Sequence, residues 1–218
     1  LASNYDPSAT IDDGSCLYPG CMDPMAVNYC STCNVNDSLS CTYPGCSTLP
    51  FSDDFESGSL VTNDWLSSAG GEAHVALTSG AVGHPAALAG AFSLEFAGGN
   101  SAGWGTTPMT EAAAFDALKS SHFATANVCL DLSNNMGSVE LTADVAMPGF
   151  YTAAYRWLRV LVNGAPLTST GGFTAFSNSG AGGSGTVGAT SQPIAWDISA
   201  YVGMSSVNVT FETSCKYG

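Results

Sequence analysis

Carboxylates and thiols are the side chains of this chain with the clearest capacity for chemistry. Asp6, Asp12 and Asp13, with Gly14, form a short acidic turn. Calcium accepts carboxylate and carbonyl oxygens in flexible geometry, so the turn carries the donors a calcium ion takes. An Asp-Gly turn whose carboxylates bond their own backbone explains the same residues, and both readings stay open. An EF-hand register is absent. There are eight cysteines, six of them between positions 16 and 46. Such clustering in a turn-rich segment indicates an oxidising compartment and a disulfide framework. The CSTC run at 30–33 lacks the second pair that zinc needs and the βαβ setting of a redox dithiol, so a structural disulfide is expected there.

Other reactive groups are sparse. His74, His84 and His122 are the only histidines, and none sits in a recognisable nucleophile context; a GxSxG elbow is absent. Glycosidase chemistry needs two carboxylates across a cleft, and 18 acidic side chains always offer pairs by chance. Catalysis is therefore not expected. Trp65, Trp104, Trp157 and Trp196 would make either a sugar-stacking platform or core packing. Asn36-Asp37-Ser38 and Asn208-Val209-Thr210 fit the three-residue N-glycosylation pattern.

Composition narrows the partners. The net charge is −14, with only Lys119, Arg156, Arg159 and Lys216 on the basic side. So little positive charge leaves counterion release nothing to drive, which excludes a nucleic-acid partner, and anionic membrane surfaces are disfavoured for the same reason. An acidic surface suits divalent cations and salty surroundings, and simple solubility explains it equally well. Apolar residues make up 45% and charged residues 10% of 218, which argues against both disorder and a coiled coil. No apolar run reaches the roughly 18 residues of a membrane span.

The elements that would position these groups are strands. From 139 to 147, Val139, Leu141, Ala143, Val145 and Met147 alternate with Glu140, Thr142, Asp144 and Ala146, the period of a strand with one wet face. The run RWLRVLV at 156–162 stops at Asn163-Gly164, which suits a tight hairpin turn. The two runs are expected to pair as adjacent antiparallel strands, with other strands covering them. Further strands are expected at 51–56, 73–78, 92–96, 126–131, 194–198 and 206–213. Many short strands between Gly, Ser and Asn clusters predict an all-β sandwich or jelly roll. Thr107-Pro108 and the helix formers of 111–120 predict one short helix, and the Gly/Ser/Thr-rich 171–188 a long exposed loop.

Residues 1–46 contain an internal repeat. Residues 1–5 (LASNY) match 25–29 (MAVNY), and 16–21 (CLYPGC) match 41–46 (CTYPGC), a unit of about 25 residues. The first copy lacks its opening residues, so the chain is expected to be a piece of a longer polypeptide. Cysteine parity gives Cys16–Cys21, Cys30–Cys33, Cys41–Cys46 and Cys129–Cys215. An alternative closes each repeat from its first cysteine to its last, joining Cys21 to Cys41 and leaving Cys16 in need of an upstream partner. The run NYDPSATIDDGSC followed by YPGCMDPMAVNY resembles the GC(T/M)DPxAxNYxPxAxxDDGSC repeats of large secreted surface proteins of Bacteroidota-type bacteria. The second copy departs from that pattern, with Cys30 and Cys33 where the first has Asp6 and Ala9. Asp37-Ser38-Leu39 also resembles the Asp-Ser/Thr-apolar O-glycan acceptor of such proteins, which implies Ser38 as an attachment point.

Residues 47–50 read as a linker, and 51–218 as the second domain. In order, PFSDDFES, NDWLSSAGG, FSLEFAGG, VCLDLSN, WDISAYVG and VNVTFE are similar to jelly-roll modules of the MAM, reelin-repeat and cleaved-adhesin type. The resemblance implies a jelly-roll sandwich, non-catalytic adhesive or assembly roles, and structural calcium, for which Asp53, Asp54 and Glu56 are the matching carboxylates. It also implies a closing strand beyond position 218. The expectation is thus an extracellular or cell-surface structural module, a building block of a bacterial adhesin or fibre. Its partners are neighbouring copies or modules, joined as a homopolymer by strand addition. The alternative is a carbohydrate-binding module of a secreted hydrolase or protease, with glycans as ligands.

Overall fold

A strand with one apolar face has to be covered by a second layer, and most of this chain consists of two such layers. The computed structural model describes residues 3, 14–22, 29–37, 45–60, 64–69, 73–80, 87–97, 115, 123–148 and 155–215. The chain divides into two units, Leu1–Gly45 and Cys46–Gly218. The division falls one residue before the expected end of the repeats.

In the first unit, β1 (Pro19–Gly20) runs parallel to β2 (Val35–Asn36). Two asparagines hold residues 16–22 by the backbone. The amide oxygen of Asn34 accepts the Tyr18 N–H (2.8 Å) and its Nδ2 donates to the Cys16 carbonyl (2.8 Å), while Asn36 Oδ1 accepts the Met22 N–H (3.2 Å). The expected Cys30–Cys33 disulfide is present, and it packs so closely on Gly20 that a Cβ there would meet Cys33 Sγ. The rest of the parity scheme is corrected. Cys16 is a half-buried free thiol, whereas buried Cys21 is disulfide-bonded. The two therefore do not pair with each other. That difference follows the alternative scheme, whose other cysteine, Cys41, lies outside the described residues.

The second unit contains β3 (Ser47–Thr48), β4 (Leu66–Ala69), β5 (His74–Thr78), β6 (Ser93–Ala97), β7 (Phe123–Asp131), β8 (Glu140–Val145), β9 (Arg156–Val162), β10 (Ala165–Pro166), β11 (Ala175–Ser177), β12 (Gly185–Thr186), β13 (Gln192–Asp197) and β14 (Val207–Cys215). The large sheet has the order β12-β11-β9-β14-β7-β3, with β10 added to β9 and β4 to β7. Opposite it lie two antiparallel pairs, β8–β13 and β5–β6. Ala126, Val128, Leu130, Leu158, Val160, Val162, Val207, Val209 and Phe211 form the inner face of the large sheet, and Ile194, Trp196 and Ile198 meet them from the other side. The second unit is an all-β sandwich. Among the described residues the helices are single 3-10 turns, at Ala181–Gly183 and Ser199–Tyr201. The helix expected at 111–120 lies outside the described residues, Phe115 apart.

Most strands stand where the alternation puts them, but their pairing differs. β8 and β9 are not neighbours: β9 lies between β14 and β11 in the large sheet, and β8 pairs with β13 in the opposite layer. The burial patterns carry the reason. Trp157, Leu158, Val160 and Val162 of β9 are all buried, with Trp157 and Leu158 on opposite faces, which suits the middle of a sheet covered on both sides; β8 alternates exposed and half-buried. Asn163-Gly164 does form the predicted turn, with φ of 50° and 80°, and it joins β9 to β10.

Three further expectations are overturned. Residues 51–56 form turns, not a strand. The 171–188 stretch is no exposed loop, since it contributes β11, β12 and buried Ala175, Phe176, Ser177 and Val187. Gly185 is required there because a Cβ would run into the Phe176 ring. Residues 47–50 are no simple linker. Ser47 and Thr48 pair parallel with Leu130 and Asp131, and Cys46 forms a disulfide with Cys129 at a Cα separation of 4.5 Å. This bond takes the place of both Cys41–Cys46 and Cys129–Cys215, because parallel pairing of β3 with β7 brings Cys46 beside Cys129.

β7 and β13 both end in Asx turns. Asp131 Oδ1 accepts the Ser133 N–H (2.9 Å) and Asp197 Oδ1 the Ser199 N–H (2.8 Å). In each case hydrogen bonds from the serine side chain and backbone hold the carboxyl below its ordinary range. A carboxyl with a depressed folded-state pKa favours the fold above its unfolded pKa, and the benefit disappears as pH falls through the folded value. In a carboxyl NMR titration, Asp131 and Asp197 should therefore protonate below the ordinary carboxylate value, and Ser133→Ala and Ser199→Ala should each raise the adjacent one.

The Cys46–Cys129 bond spans a sequence separation of 83, the Cys30–Cys33 bond only 3. Loop entropy predicts that replacing Cys46 and Cys129 with alanine costs about 4 kcal/mol in urea unfolding. Replacing Cys30 and Cys33 should cost clearly less.

Candidate functional site

Adjacent aspartates beside aromatic residues compete with extended pairing, because an Asp carboxylate bonds the backbone N–H two residues on. In 51–60 this happens twice in succession. Asp53 Oδ1 accepts the Phe55 N–H (2.7 Å) and Asp54 Oδ1 the Glu56 N–H (3.1 Å), and Phe55 takes a φ of 62°. The other oxygen of Asp53 accepts the indole N–H of Trp65 at 2.7 Å. Phe51 and Phe55 flank the same indole, with ring centroids 6.3 and 5.7 Å away. Glu56 reaches elsewhere, its Oε1 accepting the backbone N–H groups of Ala91 (2.8 Å) and Phe92 (3.0 Å) just before β6.

Each of the three carboxylates expected to bind calcium thus serves a different partner of its own chain. Among the described residues no three His, Cys, Asp or Glu side chains come together in a metal-binding group. Asp6, Asp12 and Asp13 lie outside the described residues. The role of Asp53 as an anchor for Trp65 was missed by the sequence reading. The doubled aspartate in SDDF is the available signal, since an Asp carboxylate that bonds the N–H two residues on breaks an extended strand.

The three described tryptophans do not form a platform. Trp65, Trp157 and Trp196 are all buried, and Trp104 lies outside the described residues. Trp65, Phe211, Trp196 and Phe176 form a chain of ring contacts through the core, with centroids 6.0, 6.2 and 6.1 Å apart in turn. Trp157 packs on the outer face of the large sheet under Phe115 and Ala181. Beside it Arg159 pairs with Glu212, and the Arg159 guanidinium carbon lies 4.1 Å from the Phe115 ring centroid. Asn127 accepts the Thr210 hydroxyl on the same face. Among the described residues, the buried side-chain nitrogen and oxygen atoms without a hydrogen-bond partner are Arg156 Nη1, Trp196 Nε1 and Ser214 Oγ.

His84 and His122 lie outside the described residues, and His74 stands in β5. Asn36 is in β2, with its side-chain oxygen engaged by Met22. Asn208 is exposed at the second residue of β14, opposite Cys129 of β7 rather than on a loop, its own N–H donating to Asn163 Oδ1 at 2.9 Å. Ser38 lies outside the described residues. Neither a family model, a curated protein nor a solved structure matches this chain.

If Asp53 and Glu56 act as anchors, their loss should destabilise the sandwich without any metal being added. Asp53→Ala should cost about 1–3 kcal/mol in urea unfolding, because it leaves the Trp65 N–H of a buried ring without its acceptor. Gly90→Ala should also destabilise, since Gly90 has a φ of 63° and a Cβ there would strike the Glu56 carboxylate. Equal stability of Gly90→Ala and the parent would show that the Glu56 contact is dispensable.

Proposed function

We propose that this chain is a non-catalytic structural or adhesive module with jelly-roll connectivity, working outside the cell as a building block of a bacterial surface adhesin or fibre. The observation that carries the reading is the use made of its chemical groups. Asp53, Asp54 and Glu56 hold turns, and Trp65, Trp157 and Trp196 fill the interior and the covered outer face. Its disulfides suit an oxidising compartment. No helix among the described residues is long and apolar enough to cross a membrane. Leu17, Tyr18, Met22 and Tyr29 of the repeat unit are exposed, as expected of a small repeat that relies on neighbours to cover apolar side chains.

Contacts of such a module run through its outside and its sheet edges, with neighbouring copies or modules as partners. Calcium enters this reading only through the acidic turn of Asp6, Asp12 and Asp13, as a stiffener of the repeat. Sugar binding, the competing reading, would need aromatic side chains other than the three buried tryptophans.

Electron microscopy and light scattering of the protein with calcium, and again with chelator, test the proposal alongside a glycan array. Concentration-dependent assembly without glycan binding is the expected result. Specific, saturable glycan binding by a strictly monomeric protein would replace the structural reading with the carbohydrate-binding one.

A further inference from the structure

The two strands of the β8–β13 pair treat their outer edges differently. Ile198 N–H donates to the Val139 carbonyl (3.0 Å) at the start of the register that pairs Trp196 with Leu141 and Ile194 with Ala143. Bonded and non-bonded pairs alternate in an antiparallel ladder. Leu141, Ala143 and Val145 therefore bond β13, and the backbone groups of Glu140, Thr142 and Asp144 point away from it. The partner strand confirms this phase: Pro193 and Ala195, opposite Asp144 and Thr142, turn away from β8, and the Ala195 carbonyl accepts Thr170 N–H at 2.8 Å.

On β13 the outer edge is closed. Pro193 has no N–H to offer and Thr170 occupies Ala195, the devices by which natural sheets blunt an edge. Among the described residues nothing comparable closes β8. Among the described residues no strand lies on its outer side. Its inward row is also incompletely covered. Ile194 and Trp196 on β13 are buried, whereas Leu141, Ala143 and Val145 beside them are only half-buried. Three outward peptide groups flanked by half-covered apolar side chains are what an added strand would complete.

The wet face of β8 says which strand. Glu140, Thr142 and Asp144 are exposed on it, in a chain of net charge −14. A like-charged neighbour directly across the ladder is unfavourable and an opposite charge favourable. A second copy is poorly suited to supply that charge, because the chain carries four basic side chains against 18 acidic ones and two of the four, Arg156 and Arg159, are built into β9 in the middle of the large sheet. We propose that the outer edge of β8 is a docking site for an extended segment of a different protein, alternating apolar residues facing the core with basic residues facing Glu140 and Asp144. The inference rests on the assembly reading above and gives it one partner surface.

The test uses the whole 218-residue chain and a capped nine-residue peptide alternating valine with lysine and threonine. Its counterpart has glutamate for lysine. Fluorescence anisotropy should show saturable binding of the lysine peptide, weakening as salt rises, and binding at least tenfold weaker for the glutamate peptide. Hydrogen exchange should show new protection at the amides of Glu140, Thr142 and Asp144. Thr142→Pro removes one outward N–H and leaves the bonds to β13 intact, so it should weaken binding at least tenfold. The double variant Glu140→Lys and Asp144→Lys keeps the backbone and should reverse the preference between the two peptides. No binding, equal binding of both peptides, or protection confined to other strands would overturn the inference. If the protein assembles but the lysine peptide leaves the three β8 amides exchanging freely, the docking site falls and the assembly reading stands. If the lysine peptide protects these amides but no assembly of any kind is found, the docking site stands and the assembly reading falls.

Discussion

The sandwich depends on burying the inner face of the large sheet against a run of aromatic rings. Trp65, Phe211, Trp196 and Phe176 touch in sequence from one side of the core to the other. Each ring excludes a large apolar area from water, and each tilted or edge-on pair adds about 0.5–1.5 kcal/mol beyond that area. An indole brings an N–H with it, and a buried donor has to find an acceptor or lose its hydration uncompensated. Trp65 finds Asp53, while Trp196, fully buried, does without. The turns of 51–56 follow from this need. A straight strand through Asp53 would not bring its carboxylate to the indole while also capping the Phe55 N–H.

The two layers bear different loads. β14 lies between β7 and β9 with long registers on both sides, and β9 is buried on both faces because Phe115 and Ala181 cover Trp157 from outside. The opposing layer is built of two separate pairs, and its apolar row is deep on β13 but shallow on β8. The Cys46–Cys129 bond ties the entry of the sandwich to β7 in the large sheet.

Much of this was legible in residue order. Alternation from 139 to 147 and from 207 to 213 reports faces directly, since a strand reverses its side chains at every residue. Asn163-Gly164 announced its turn because both positions tolerate positive φ, and Cys30–Cys33 announced its bond by proximity. The longer-range relations were not legible. Alternation says which side of a strand is dry without saying which strand lies beside it, so β8 and β9 read as neighbours although they face each other across the core. Glycine-rich composition at 171–188 suggested a loose loop, whereas in the fold the missing side chain at Gly185 makes room for Phe176.

By itself, then, the sequence determined the all-β class, the division near residue 46, most strand positions and the acidic, cysteine-clustered character of the chain, because each is set by local periodicity or composition. Tertiary structure alone decided which strands pair, that Cys46 meets Cys129 while Cys16 stays a thiol, that Asp53 serves Trp65, and that Pro193 and Thr170 close the outer edge of β13. These depend on which distant groups share a core, and the free energy of burying them together is a property of the whole packing arrangement that no short stretch of chain carries.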